Sequence, residues 1–337
     1  MDLEKYRVED DEKGKKNAYI FKADDVYDTM INGLRNGKDK GTTTYNTILD
    51  QCLTWRKQEA NIWTGYANEG KSLFLKQLCL SKALKENWKF CFCSPEDFPP
   101  DEFYDDLIHT LTGRTTDKDY GTERVISEEL YEKAYKMIKD LFIFLYIEPP
   151  HNSIRSVLEE FKRITKDESI DGFIIDPLLK FARPKGMEDV RDDIYAAYIG
   201  SICVDFARQT NSSFHLVMHQ LTPQQDGETK KYPEPSMYRI KGGGSWSDGF
   251  DNILSVWRPN YASDKLDSEV QFSSQKIKKQ KLVGIPQRLQ MSFDRKSNRY
   301  KDFSSNSDMF PFEDIFYNSE LAPLKEIIKT EQEDFLT

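Results

Sequence analysis

The sequence lacks any apolar run that approaches the ~20 residues a helix needs to cross a bilayer. Its first thirty residues are charged throughout and contain no apolar core of the kind found in signal peptides. From these two absences we expect a protein without a membrane anchor that works in the cytoplasm or an equivalent compartment.

Cysteine and histidine are also scarce. The 337 residues include 5 cysteines and 4 histidines, and the cysteines show neither CxxC spacing nor nearby histidine pairs. This usage argues against a disulfide framework and against a zinc site. We expect all the thiols to be buried and reduced, namely Cys52, Cys79, Cys91, Cys93 and Cys203.

An excess of positive charge is absent too. The chain has 48 lysines and arginines against 57 acidic residues, a net charge of −9. A compact domain that coats a duplex carries a basic excess, so the balance argues against a simple DNA-coating protein. It leaves open a motor that concentrates its basic residues along one channel.

What the sequence does contain falls into three parts. Residues 1–40 form a polar arm with a short amphipathic helix predicted over 24–34, and residues 306–337 form an acidic tail. Between them, residues 41–305 alternate short apolar strands with helical segments. We therefore expect one large α/β domain with two short appendages.

The alternation in the central part predicts a mainly parallel sheet flanked by helices. Several of the apolar runs are continuous, as in parallel strands that are covered on both faces. Alternating strands and helices imply right-handed crossovers. After Ser268, residues 269–281 and 287–300 read as a C-terminal β-hairpin. The six earlier strands are predicted over 61–64, 89–94, 141–147, 172–176, 213–218 and 252–257.

The sharpest motif is GYANEGKS at residues 65–72, which fits GxxxxGK[ST] at every specified position. An apolar strand precedes it and an amphipathic helix follows it. Glycine lets the backbone wrap a phosphate, and a helix N-terminus offers free N–H groups. We expect Lys71 to bridge the β- and γ-phosphates of ATP and Ser72 to bind Mg²⁺. The other residues of this loop that we expect to bind ATP are Gly65, Asn68, Glu69 and Gly70. An ordinary glycine-rich turn is the alternative.

Three further residues complete a predicted hydrolysis site. Asp176 ends the apolar run FIID and is the candidate for the second magnesium-side carboxylate. Glu96 lies just beyond a neighbouring strand and is the candidate base that polarises the attacking water, with Asp97 as its competitor. Gln220 follows the strand FHLVM, where it could report on the γ-phosphate.

With these pieces in this order, roughly residues 24–303 resemble the DnaB-type replicative helicases and the related phage primase-helicases and Twinkle proteins. The resemblance implies a RecA-like P-loop NTPase fold. CSPED is similar to the family's strand that ends in a catalytic glutamate, which favours Glu96 over Asp97. GFIIDPLLKF resembles the second Walker motif, and VMHQLTP resembles the γ-phosphate sensor segment that places the glutamine at Gln220.

The segment YRIKGGGSWSDGF resembles the family's DNA-facing loop. By this resemblance Lys241, Gly242 and Gly244 would face the phosphodiester backbone. Small residues let backbone N–H groups approach phosphates, and a lysine adds charge. A flexible surface loop is the alternative.

The segment KKQKLVGIPQ is similar to the one that reaches the neighbouring subunit's ATP site. The family generally carries a lysine and an arginine finger there, whereas this sequence has Lys279 and Lys281. Lysine neutralises charge but offers no planar fork of donors. A solvated basic turn is the alternative.

The resemblance implies a replicative DNA helicase motor. Such a protein hydrolyses ATP with Mg²⁺ and moves on single-stranded DNA as a homo-oligomeric ring, taken here as a hexamer. A primase and a polymerase are candidate partners, and the compact architecture with its Twinkle-like details suggests a protein of a phage, acting in the host cytoplasm, or of a mobile element. Two alternatives stay open: a RecA-like recombinase or loader that does not unwind DNA, and a nucleotide-binding assembly subunit with little hydrolysis.

Overall fold

A computed structural model describes residues 20–120, 125–229, 231–310 and 312. The chain separates into two compact units, residues 1–40 and 41–337. In the first unit a 3₁₀ turn, Ala23–Val26, leads into helix α1, Tyr27–Asn36, which overlaps the helix predicted over 24–34. Residues 1–19 of the arm and most of the acidic tail lie outside the described residues.

The second unit is built on one sheet of nine strands in the described chain. The strands stand in the order β3-β2-β4-β5-β1-β6-β7-β8-β9, and the first six in that row are parallel to one another. Their bounds are β1 Ala60–Gly65, β2 Phe90–Cys93, β3 Phe142–Phe144, β4 Gly172–Ile175, β5 Ser213–His219, β6 Asn252–Trp257, β7 Glu269–Ile277, β8 Arg288–Asp294 and β9 Arg299–Asp302.

Helices cover both faces of this sheet. On one face pack α2, Lys71–Glu86, α3, Pro100–Thr112, and α4, Glu128–Ile138. On the other pack α5, Ile154–Ile164, and α6, Asp192–Thr210, with the short α7, Trp246–Gly249. The remaining helix is the single turn α8, Gln280–Val283.

Local chemistry sets the limits of several helices. The Ser127 and Ser153 side chains accept hydrogen bonds from the backbone N–H groups of Leu130 in α4 and Ser156 in α5, as expected for N-cap residues. Helices α2 and α6 end at Asn87 and Asn211, both in the left-handed conformation that asparagine tolerates.

The buried residues form two hydrophobic cores, and alternate residues of a strand contribute to different cores. On β2 the side chains of Phe90 and Phe92 enter one core, while Cys91 and Cys93 enter the other, because successive residues of a strand face opposite sides. All five cysteines are buried and unpaired, as the sequence predicts. No helix among the described residues combines the length and apolar character that crossing a bilayer requires.

The predicted fold class, a mainly parallel sheet flanked by helices with antiparallel strands at its C-terminal end, is confirmed. All six predicted parallel strands are present. The strand predicted over 141–147 is shorter, since its ladder with β2 stops at Phe144. The predicted hairpin contains a third strand, because Asp294 accepts hydrogen bonds from Lys296 and Ser297 and turns the chain back into β9.

Candidate functional site

The predicted site residues that follow β1, β2, β4 and β5 lie along one edge of the sheet. Gly65 at the end of β1 pairs in register with His219 at the end of β5. Ile175 at the end of β4 pairs with Cys93 at the end of β2. Because the carboxyl ends of parallel strands meet at the same edge, the next residues of all four strands share it.

Two glycines shape the loop between β1 and α2. Gly65 has φ +155°, and a Cβ there would lie 2.2 Å from the Val256 carbonyl oxygen. Gly70 has φ +87°, and a Cβ there would lie 2.2 Å from the Tyr300 hydroxyl oxygen. Neither position accepts a side chain, so no side chain covers the backbone at these two points of the loop that leads into α2. This geometry fits a bound phosphate group.

Lys71 is only 5% exposed and lies within this loop. Its ammonium group donates a 2.6 Å hydrogen bond to the Tyr66 carbonyl oxygen. Burial lowers the pKa of Lys71, while the negative charges of Asp176, Glu69 and Glu96 act in the opposite direction. A triphosphate would add negative charge beside a cation that is already buried there.

The residues predicted to hold magnesium, Ser72 and Asp176, lie near each other, because hydrogen bonding by Ser72 acts to lower the pKa of Asp176. Burial raises the pKa of Asp176 to about 6, and the bond from Ser72 opposes that rise. Mg²⁺ in nucleotide sites uses one or two protein oxygens together with phosphates and water. The pair of donors fits that pattern, and the described residues contain no cluster of three acids, histidines or cysteines that would hold an ion alone.

Glu96 and Asp97 have different surroundings. The Lys76 ammonium donates to one Asp97 oxygen at 2.7 Å, and the Ser94 hydroxyl donates to the other at 2.7 Å. Glu96 is 44% exposed and has a 3.4 Å ion pair with Lys180. Since both Asp97 oxygens are already engaged in structural bonds, Glu96 is the carboxylate with freedom to meet a water.

Glu69 has a bracing role that the motif alone does not reveal. It is 2% exposed, and its carboxylate accepts hydrogen bonds from the backbone amides of Tyr66 and Arg258. Burial raises the pKa of Glu69 to about 7, against the attraction of Lys71 and Arg258. The carboxylate thereby ties the loop to the residue that follows β6.

Two other neighbours of the loop were not singled out from the sequence. Tyr300 on β9 donates a 2.8 Å hydrogen bond to the Gly70 carbonyl oxygen. Arg258 is buried, donates to the Asp267 carbonyl oxygen, and lies over the Tyr261 ring. Its Nε has no hydrogen-bond partner among the described residues. The position of Arg258 directly after β6, a neighbour of β1, is the one sequence signal that could have identified it.

Gln220 is buried beside the phosphate loop. Its amide nitrogen donates to the Thr64 hydroxyl and to the Ser236 carbonyl oxygen, both at 3.0 Å. Its amide oxygen accepts from the Ser236 backbone N–H at 3.3 Å. Gln220 thus joins β1 to the chain that leads to Lys241.

The loop that carries Lys241 is held at one side and open at the other. The Trp246 indole N–H donates to the Lys241 carbonyl oxygen at 3.2 Å. Gly242 has φ +102°, and a Cβ there would lie 2.9 Å from that indole nitrogen. Gly244 faces open space, and the Lys241 side chain is exposed. A cavity of about 200 Å³ lies between this loop and residues 178–183.

Lys279 and Lys281 lie away from the chain's own phosphate loop. Lys279 has a 3.4 Å ion pair with Glu59, the residue before β1, whereas the phosphate loop follows the other end of that strand. A six-residue strand spans roughly 16 Å. Lys281, on α8, is exposed. The structure does not bring these lysines to the residues that follow β1, β2 and β4.

The fold and the edge residues together define a RecA-like α/β domain. No protein-family model matches the chain. It is 24% identical over 270 residues to the Twinkle homolog protein, chloroplastic/mitochondrial, of Arabidopsis thaliana, and the match covers 79% of this chain but 37% of that protein.

Solved structures share the fold. A structure of an ATPase domain superposes with a TM-score of 0.66 at 15% identity, covering 84% of this chain and 99% of that one. A DnaB-like replicative helicase, described with its interactions with primase, superposes with a TM-score of 0.66 at 14% identity, covering 84% of this chain and 69% of that one. The predicted resemblance to DnaB-type helicase ATPase domains is confirmed by these comparisons.

Proposed function

We propose that this chain is an ATP-hydrolysing motor that moves along single-stranded DNA as a ring, most simply a hexamer. The observation that carries the proposal is the gathering of the glycine loop with the buried Lys71, Asp176 and Glu96 at the ends of neighbouring parallel strands on one sheet edge. A fold shared with helicase ATPase domains supports it.

In the proposed reaction, the backbone amides of the phosphate loop and the Lys71 ammonium bind the β- and γ-phosphates of ATP. Ser72 and Asp176 hold Mg²⁺, which neutralises phosphate charge when bound. Glu96 accepts a proton from a water molecule whose oxygen attacks the γ-phosphorus, and the bond to the ADP oxygen breaks. Asp97 stays bonded to Lys76 and keeps the Glu96 segment in place.

Gln220 would carry the state of the nucleotide to DNA. It contacts Thr64 on β1 and Ser236, and the chain runs from Ser236 to Lys241. Loss of the γ-phosphate would change the hydrogen bonds of the Gln220 amide, and the open loop around Lys241 and Gly244 would shift against the DNA backbone. The adjoining cavity leaves room for such a shift.

A ring is proposed because two features need a second copy. Lys279 and Lys281 could serve only the site of an adjacent chain, since they lie beyond the amino end of β1. Helix α1 exposes Tyr27, Met30 and Leu34, an apolar set that a neighbouring subunit would cover. We place this ring in the cytoplasm of a host cell and propose a primase and a polymerase as partners.

One observation favours a second candidate function. Lys279 is bonded within its own chain to the buried Glu59, and Lys281 cannot offer the bidentate fork of an arginine. A nucleotide-binding assembly subunit with little hydrolysis would have this property. A recombinase or loader would share the ATP site and differ in forming filaments on single-stranded DNA.

A strand-displacement assay with a forked DNA substrate tests the proposal, with Lys71→Ala as the control. We expect the wild type to hydrolyse ATP faster with single-stranded DNA and to separate the strands, and the variant to do neither. ATP hydrolysis without strand separation, with DNA bound, would contradict the helicase function. Nucleotide binding without turnover would favour the assembly subunit.

A further inference from the structure

Hydrogen bonds and ring contacts hold the chain between the proposed ATP site and the loop around Lys241, which we call the DNA loop. We define residues 232–241 as the coupling segment. At its start, the Tyr66 ring packs on the Tyr232 ring with centroids 5.1 Å apart, and the Tyr66 hydroxyl donates to the Pro233 carbonyl oxygen at 3.0 Å. At its end, the Lys241 backbone N–H donates to the His219 carbonyl oxygen at 2.8 Å.

Two glutamines, one directly after β5 and one on β7, hold the middle of the coupling segment. Gln220 bonds both backbone groups of Ser236. Gln275 accepts from the Met237 N–H at 2.5 Å and donates to the Pro235 carbonyl oxygen at 2.7 Å. Each amide therefore makes a two-point contact, and the two contacts fall on three consecutive residues. A two-point contact fixes orientation as well as distance.

The position of Gln275 depends on an irregularity in the sheet. Along β6 and β7, Ile253 pairs with Lys276 and Leu254 pairs with Ser274, so Gln275 has no partner on β6. A residue inserted in this way forms a β-bulge, which redirects a side chain out of the regular alternation. The Gln275 amide nitrogen that bonds Pro235 also donates to the Ser255 hydroxyl at 2.9 Å, and this bond anchors Gln275 to β6.

The phosphate loop is joined to the coupling segment by a bond that a nucleotide would compete for. The Lys71 ammonium donates to the Tyr66 carbonyl oxygen, and Tyr66 contacts residues 232 and 233. A triphosphate that draws Lys71 toward itself weakens this hold on Tyr66. A segment displaced in this way would remain attached at Gln275, which is fixed to β6 through Ser255.

We propose that Gln275 is a positioning residue that couples occupancy of the phosphate loop to the loop around Lys241 by holding residues 235–237 against β6. This inference rests on the proposed function, because the DNA loop is its output. Gln275 touches no expected nucleotide or metal ligand, so its loss should spare ATP turnover and impair the response to DNA.

The test compares Gln275→Met with Gln290→Met, the same change at an exposed position of β8 that contacts Glu269. For Gln275→Met we expect basal ATP turnover and KM for ATP like the wild type. We expect the DNA-stimulated turnover to fall by about tenfold, or to the basal rate, since the two hydrogen bonds to the coupling segment, each contributing roughly a factor of three, are lost together with the bond to Ser255. Gln275→Glu keeps an oxygen that accepts from the Met237 N–H, so its DNA-stimulated turnover should lie between those of the wild type and Gln275→Met.

Hydrogen exchange supplies a readout that needs no DNA. An ATP analogue should alter exchange of the amides in residues 236–241 in the wild type and in Gln290→Met, and should leave them unaltered in Gln275→Met. A wild-type exchange response and wild-type DNA stimulation in Gln275→Met would overturn the inference. The inference would also be overturned if the ATP analogue left the amide exchange of residues 236–241 unchanged in the wild type. If the wild type shows the exchange response without DNA stimulation, the motor proposal fails while the coupling stands.

Discussion

The Tyr300 hydroxyl donates a 2.8 Å hydrogen bond to the carbonyl oxygen of Gly70, which joins the last strand of the sheet to the phosphate loop. The Tyr300 ring is fully buried and packs edge-on against Phe74 at 5.0 Å. The antiparallel extension of the sheet therefore supports the loop proposed to bind ATP.

Tyr300→Phe should lower the free energy of unfolding by about 1 kcal/mol, because it keeps the ring and removes one of the two hydrogen bonds that the Gly70 carbonyl oxygen accepts, the other coming from the Phe74 N–H. KM for ATP should rise at the same time, since the loop loses one of its fixed points. Denaturant unfolding and steady-state ATPase kinetics measure the two effects. Tyr238→Phe, at a tyrosine that is 65% exposed, is the matched control, and equal stability of the two variants would contradict the role of Tyr300.

Glu96→Gln and Asp97→Asn should separate catalysis from stability. With Glu96→Gln we expect ATP turnover to fall by about 10²-fold or more while the unfolding midpoint stays unchanged, because a partly exposed base is lost. With Asp97→Asn we expect a loss of about 2 kcal/mol of stability, because the buried Lys76 loses its nearer carboxylate and retains Asp106.

Single-turnover kinetics and denaturant unfolding on both variants check this assignment. The reverse pattern, in which Asp97→Asn abolishes turnover of a fully stable protein and Glu96→Gln remains active, would assign the base to Asp97.

Glu69 makes stability depend on pH. Its pKa is raised to about 7 in the folded protein against roughly 4.3 in an unfolded chain, so the folded state binds the additional proton between those values. Stability from this group is therefore present at low pH and lost as the pH rises toward 7. Glu69→Gln removes this pH-dependent loss of stability, so its advantage over the wild type in free energy of unfolding should grow from pH 4.5 to pH 7 and reach about 3–4 kcal/mol above pH 7.

Unfolding curves measured at several pH values, with ionic strength held constant, test the effect of Glu69. Glu132→Gln, at an exposed ion pair on α4, is the control and should change stability by less than about 0.5 kcal/mol. An advantage of Glu69→Gln that is independent of pH would show that the carboxylate is not the cause.

The site divides into residues that motifs reveal and residues that only the fold brings together. Positions 65–72 and Asp176 were predictable because each lies in a short pattern at the end of an apolar strand, and parallel strands end at one edge. Tyr300 was not, since it lies 230 residues from the Gly70 carbonyl that it supports. The contacts of Gln275 depend on a register shift between β6 and β7, and nothing in the local sequence predicts a bulge there.

The basic segment near α8 gives the sharpest test of the ring. Lys281→Ala should leave the stability of the chain unchanged, because the side chain is exposed, and should lower ATP turnover by removing a cation from the adjacent chain's site.

Lys71→Ala should be inactive for a different reason, the loss of the chain's own phosphate ligand. When the two variants are mixed and allowed to exchange subunits, some interfaces combine an intact Lys71 with an intact Lys281, and ATP turnover should partly recover. Mixing Lys71→Ala with Glu96→Gln is the control, because both changes damage the same chain's contribution and no interface becomes whole. A mixture that stays as inactive as its parents, or a Lys281→Ala variant as active as the wild type, would show that Lys281 does not complete a neighbour's site.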